Sequence, residues 1–166
     1  CKKCKKCFKI YMSYFKKRGQ SFCSNRCKGL ARRGKKSNSW KGGVALKKTL
    51  WNIFSQYIRQ RDKGICISCG KQDEWRNTDA GHYVPKTAGL SLYFDEKNVN
   101  CQCTGCNRFR HGNLSQYALE LRRKYGEKIL EELEWKRRKI VRFTIFDYHQ
   151  MIDLYKTKLK ELSSQN

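Results

Sequence analysis

Residues 1–61 contain no acidic side chain. Over the full 166 residues, 38 Lys and Arg stand against 14 Asp and Glu, a formal net charge of +24. Self-repulsion on this scale works against a compact fold unless a polyanion is the partner. A phosphate backbone meets that description, and its binding would weaken steeply with salt. The plainer alternative is a solvated basic surface, as on a ribosome-bound protein. No apolar run approaches the length needed to cross a bilayer, and no apolar leader-like stretch lies before the first cysteines. Nor do the ten cysteines have the look of a secreted disulfide scaffold. They fall largely into C-x2-C and C-x3-C pairs within a lysine-rich chain, which suits metal ligation in a reducing compartment.

The chain holds enough residues for one modest domain or two very small ones. Cys4, Cys7, Cys23 and Cys27 have the spacing of a small four-thiolate finger over residues 1–30; Cys1 is an alternative to Cys4 or Cys7, since Cys1-x2-Cys4 repeats the same interval. Residues 31–44, within a basic stretch poor in apolar side chains, read as a linker. Leu46, Leu50, Ile53, Tyr57 and Ile58 then recur at helical spacing. That helix opens a zinc-stapled domain over residues 45–126 and is expected to stop at Gly64. A helical region over residues 127–166 completes the chain. In it Thr144 and Asp147 form a capping box ahead of the stripe Ile145, Tyr148, Ile152, Tyr155, Leu159 and Leu162. Steps of three and four make this stripe a short heptad seam, for packing in cis or for a dimer contact.

Residues 65–113 hold the chemistry. Cys66-Ile67-Ser68-Cys69 and Cys103-Thr104-Gly105-Cys106 can close one tetrahedral thiolate site. Between them lie Asp79-Ala80-Gly81-His82, expected on a strand over 78–84, and an alternating run over 90–94, expected as its partner strand. A helix is expected from Cys103 onward. Knuckle, hairpin and helix in that order are the treble-clef form of the ββα-metal unit, so the expected fold class is α+β, dominated by helices around one hairpin.

Cys66 to Gly70, the string Asp79-Ala80-Gly81-His82-Tyr83, Asn98, Gln102-Cys103-x2-Cys106-Asn107, Gly112-Asn113 and Tyr117 resemble the phage NinG (Rap) recombination nucleases. Phe22-Cys23-Ser24-x2-Cys27 resembles that family's N-terminal finger, and the resemblance covers most of the chain. It implies membership of the broader HNH nucleases and DNA endonuclease activity on branched recombination intermediates such as four-way junctions and D-loops. It also implies structural zinc at both cysteine clusters, a separate catalytic magnesium or manganese ion, and action in the cytoplasm of a bacterial host.

In that frame His82 is the general base, because neutral imidazole titrates close to the operating pH. Asp79 and Asn107 are the ligands of the catalytic cation, which prefers oxygen donors and keeps several waters. Asn98 bridges the loop beside the hairpin and holds the His82 strand in shape. The commoner pattern carries its acid immediately before the histidine. Here that position is Gly81, and Asp79 lies three residues ahead of His82. Along a strand those two residues face opposite ways, so a bend at Ala80-Gly81 is needed to bring both to one ion; without it Asp79 is a structural hydrogen-bonder and Asn107 holds the cation with waters. Lys86, Arg108, Arg110 and His111 are expected along the DNA path, with His111 also a possible extra metal ligand. Cys101 is expected to be a buried free thiol and His149 a surface residue. Trp40, Trp51, Trp75 and Trp135 are expected in the core. Three functions compete: a structure-specific endonuclease acting as a homodimer, a sequence-specific HNH homing or restriction nuclease, and a non-catalytic zinc DNA-binding protein.

Overall fold

The computed structural model describes residues 42–164. The finger expected on Cys4, Cys7, Cys23 and Cys27, the Cys1 alternative and Trp40 all lie outside those residues. The described chain is a mixed α+β fold. Helix α1 (Gly42–Arg61) leads through the first cysteine turn to strand β1 (Asp79–His82), a long connection and strand β2 (Val99–Gln102). A single π-helical turn (Gly105–Phe109) follows, then helices α2 (Leu114–Tyr125), α3 (Ile129–Arg137) and α4 (Ile145–Ser164).

Helix α1 forms where expected, with Leu50, Tyr57 and Ile58 of the anticipated stripe buried; Ile53 is only half-buried, and Phe54, outside that stripe, is fully buried. Its end is set by Lys63 and Gly64, both at positive φ. A Cβ on Gly64 would lie 2.0 Å from the Asp73 carbonyl oxygen, so only glycine lets the returning chain pass this close. Helix α4 opens on the anticipated capping box: the Asp147 amide donates to Thr144 Oγ1 at 3.2 Å, and the Thr144 amide donates to Asp147 Oδ2 at 2.6 Å. The seam on α4 packs in cis. Tyr148, Ile152 and Tyr155 are buried in one cluster with α1, and Leu159 and Leu162 lie against it. The Phe54 and Tyr155 rings meet edge-on at 4.8 Å. A second cluster joins Tyr117 and Leu121 of α2 to Ile129 and Leu133 of α3. Each fully buried side chain of this size contributes about 1.5–3 kcal/mol.

The long connection plugs into both clusters, Phe94 into the first and Leu92 into the second. That is why residues 90–94 do not form the expected strand. Their alternation records side chains directed at two separate cores, and the chain there is a series of turns. The true partner of β1 is Val99–Gln102, antiparallel, with Asp79 opposite Gln102 and His82 opposite Val99. All four of its residues are buried, Asn100 and Gln102 among them, so hydropathy gives it no period of two. The Asn100 side chain is fully met, whereas Gln102 keeps one unpartnered oxygen. Asn100 Oδ1 accepts from Arg61, Lys124 and Tyr125, and Asp62 accepts from the Cys101 amide at 2.9 Å. These bonds tie the end of α1 to the hairpin and to α2.

The helix expected from Cys103 is reduced to the π turn, and α2 starts only at Leu114, after His111 and Asn113 adopt left-handed φ values of 49° and 45°. Trp51 and Trp75 are half-buried, whereas Trp135, expected in the core, is 60% exposed with Lys139 Nζ 3.3 Å from its ring centroid. Among the described residues no helix is long and apolar enough to cross a membrane.

Candidate functional site

The first cysteine pair sits in a tight turn closed by the Gly70 amide on the Cys66 carbonyl and the Cys66 amide on the Lys71 carbonyl, both 2.8 Å. The second pair brackets the π turn, where the Cys106 amide points at Cys103 Sγ at 3.4 Å. The sulfurs of Cys66, Cys69, Cys103 and Cys106 all lie within 4.8 Å of one another, and those of Cys69 and Cys103 are 3.8 Å apart. Tetrahedral thiolates on zinc at about 2.3 Å place neighbouring sulfurs about 3.8 Å apart, so the donor set and its spacing fit that ion. Burial pushes the Cys106 thiol up to about 12, with Cys69 adding to the rise. Thiolate ligation by the four would release protons, so metal binding here should depend on pH. Asn113 Nδ2 approaches Cys106 Sγ at 3.7 Å, an outer contact that orients the ligand.

The π turn also delivers Asn107, whose amide donates to the Cys103 carbonyl at 2.9 Å. Its side chain meets β1: Asn107 Nδ2 donates to Asp79 Oδ2 at 3.0 Å. The two expected cation ligands are therefore in direct contact. Arg108 closes on the same carboxylate, Nε to Oδ2 at 2.9 Å and Nη2 to Oδ1 at 2.7 Å. Burial would raise the Asp79 carboxyl, but the bonds from Arg108 and Asn107 outweigh it and hold it below the ordinary carboxylate range. By type, a carboxylate and an amide oxygen are donors that magnesium or manganese accepts, but here the Asn107 nitrogen faces Asp79 and Arg108 holds both carboxylate oxygens.

Gly81 lies on the same face of β1 as Asp79. A Cβ there would sit 2.0 Å from Gln102 Oε1 and 3.1 Å from Asn107 Oδ1. Gln102 thus lies across the space that a side chain at 81 would fill. A side chain at position 81 would have to displace that amide.

His82 faces the other way. The bend at Ala80-Gly81 is not present, because β1 pairs with β2 one residue to one without a bulge. Ala80 packs against the α1 cluster, and the His82 ring stacks on Trp51 at 5.1 Å and 25°. His82 Nε2 meets the Tyr93 carbonyl at 3.0 Å. Donation of Nε2–H to that oxygen leaves the lone pair on Nδ1. Burial drives the His82 pKa down; the Tyr93 bond opposes the fall and Lys86 adds to it, leaving a value of about 4. The ring is neutral at physiological pH. Asp79 and Asn107 therefore make one pole of the site and His82 another, separated by the thickness of β1.

Asn98 is 0% exposed and spans both ends of the connection. Its Oδ1 accepts from the Val84 amide at 2.7 Å, while Nδ2 donates to the carbonyls of Val84 and Leu92. This is the expected bridge, and its complete burial keeps it away from any substrate. Among the expected DNA contacts, Lys86, Arg110 and His111 are exposed, and Arg108 is ion-paired to Asp79. Cys101 is the anticipated buried thiol, pushed up to about 11 by burial. His149 is exposed.

Sequence reasoning missed the roles of Trp51, Tyr93 and Gln102. Trp51 was legible only as a helical apolar residue, and Tyr93 acts through its backbone, which no side chain advertises. Gln102 could have been found from the strand period once β2 was in register, because it stands opposite Asp79.

Residues 30–165 match the family model described as Bacteriophage Lambda NinG protein. The curated "Protein ninG" of Escherichia phage 933W is 38% identical over 109 residues, 64% of this chain and 52% of that protein. Its namesake in Escherichia phage lambda gives the same figures, and that of Salmonella phage P22 is 37% identical. The chain spans about half the length of these curated relatives. No solved structure matches it.

Proposed function

This chain belongs to the NinG family of bacteriophage proteins, and from that premise we propose that it is a divalent-cation-dependent endonuclease that cuts branched DNA recombination intermediates. The observation that carries the reading is the meeting of Asp79 and Asn107 beside the four-cysteine cluster, at the strand that ends in neutral His82. The net charge of +24 supports a nucleic-acid partner.

His82 takes the proton of the attacking water on Nδ1. The Tyr93 carbonyl holds Nε2–H, so the imidazolium that forms keeps its orientation, and Trp51 fixes the plane of the ring. Asp79 and Asn107 hold the cation, which when bound neutralises the scissile phosphate and the leaving oxygen. Lys86, Arg110 and His111 contact backbone phosphates, and Arg108 exchanges Asp79 for phosphate. The cysteine cluster carries structural zinc in an HNH-type frame. Two copies act together, since a four-way junction is resolved by two cuts.

The test is cleavage of a four-way junction, a flap and linear duplex, with and without magnesium, by the wild type and by His82→Ala. The expected outcome is magnesium-dependent cutting of branched DNA that falls at least about 100-fold in His82→Ala, with binding retained. Equal cutting by both proteins would remove His82 as the base. Cutting at a fixed site on linear duplex would point to a sequence-specific nuclease. A second reading, a DNA-binding protein without catalysis, is favoured by one observation: both Asp79 oxygens are already engaged by Arg108. Binding without cutting by the wild type would select it.

A further inference from the structure

Gln102 is 0% exposed and only half satisfied. Its Nε2 donates to Ser68 Oγ and to the Gly112 carbonyl, 2.7 Å each, tying the first cysteine turn to the end of the second. Its Oε1 has no partner and is the one such buried side-chain atom among the described residues. An unmet buried acceptor costs on the order of 1–3 kcal/mol. The oxygen points at Gly81, and so does Asn107 Oδ1; both lie within 3.1 Å of the point a Cβ on residue 81 would occupy. Two acceptors thus share one small space, while the Asn107 donor is spent on a carboxylate at its other end.

A half-turn of the Asn107 amide about its Cβ–Cγ bond exchanges its two ends. The oxygen then joins the Asp79 carboxylate in facing one point, an arrangement that a cation reconciles. The NH2 group then faces the acceptor that lacks a donor. We propose that Gln102 is a positioning residue for the divalent cation: its Oε1 receives Asn107 Nδ2 and so holds the Asn107 oxygen toward a cation at Asp79. Gly81 is the condition for this, since any side chain there would fill the gap between the two amides. The inference rests on the reading of Asp79 and Asn107 as cation ligands. It adds the group that decides which end of Asn107 the cation meets.

The test is Mn2+ titration of the zinc-loaded full chain without DNA, with free Mn2+ read by electron paramagnetic resonance. Four proteins are compared: wild type, Gln102→Met, Asn107→Asp and the double variant, with zinc content and Tm measured for each. Gln102→Met should weaken Mn2+ binding about tenfold beside Asn107. Beside Asn107→Asp it should leave binding unchanged or tighter, because a carboxylate has no amide end to orient and its second oxygen would face Gln102 Oε1. Equal weakening in both backgrounds, or none beside Asn107, would overturn the proposal. Gln102→Glu keeps an acceptor toward Asn107 while losing the bonds to Ser68 and Gly112. It should bind Mn2+ at least as well as wild type even if its Tm falls, and a tenfold loss would contradict the proposal. A wild type that binds no Mn2+ outside the thiolate cluster would remove the cation-ligand reading itself. Normal wild-type binding that Gln102→Met does not change would remove the role of Gln102 alone.

Discussion

His82 shows how one side chain acquires a chemical character its type does not specify. A solvated histidine titrates near 6.5, but against Trp51 and the Tyr93 carbonyl this one falls to about 4. If His82 is the base of the proposed cleavage, the acid limb of kcat/KM should lie near pH 4 rather than 6.5, and Lys86→Ala should move it upward. The same shift acts on the fold. Between these two pH values the unfolded chain binds a proton at this residue and the folded chain does not, so stability falls as pH drops from about 6.5 toward 4. Comparison of wild type with His82→Asn in urea at pH 7 and pH 4.5 should show a loss that is larger in the wild type by about 2 kcal/mol. Gly81 makes the complementary point through what it lacks. Gly81→Ala would press a methyl group against Gln102 Oε1, and chemical denaturation should register a loss of about 1–3 kcal/mol with the cysteine cluster intact.

At the scale of elements, the helices were legible and the hairpin was half so. The stripes on α1 and α4 follow from spacings of three and four, and the Thr144–Asp147 box marks where α4 begins. Strand β2 was not legible because its two polar side chains are buried in hydrogen bonds to α1, α2 and the cysteine turn, connections formed only in the folded chain. The pairing of Asp79 with Asn107 was legible from residue type. Its separation from His82 depended on whether β1 bulged, and nothing in Ala80-Gly81 decides that locally. Helical propensity after Cys103 lost to the demands of sulfur geometry, which stops the chain after one π turn. The turns that present Asn107 thus depend on the cluster more than on an apolar core. Excess chelator should abolish amide-exchange protection across residues 65–72 and 103–113. Protection of the α1–α4 pair, held by ring packing, should persist longer.

For the whole molecule, charge is the dominant property. With a net charge of +24, DNA affinity should fall by about 10³–10⁵ between 50 and 200 mM salt if about 6–10 phosphates are contacted. Replacing Lys86 and Arg110 together by Ala should lower the slope of that dependence by about two, measured by filter binding across a salt series. The pairing of α1 with α4 bears on synthesis as well as on stability. The aromatic stripe of α1 leaves the ribosome long before its cover does, since Tyr148, Ile152 and Tyr155 are translated after both strands and two further helices. Until they emerge, Phe54 and Tyr57 stay wetted and sticky on a nascent chain whose positive charge draws it toward any nearby RNA. Closure of this cluster therefore waits until α4 has emerged, and a chaperone that shields α1 in the interval would raise the yield of folded protein.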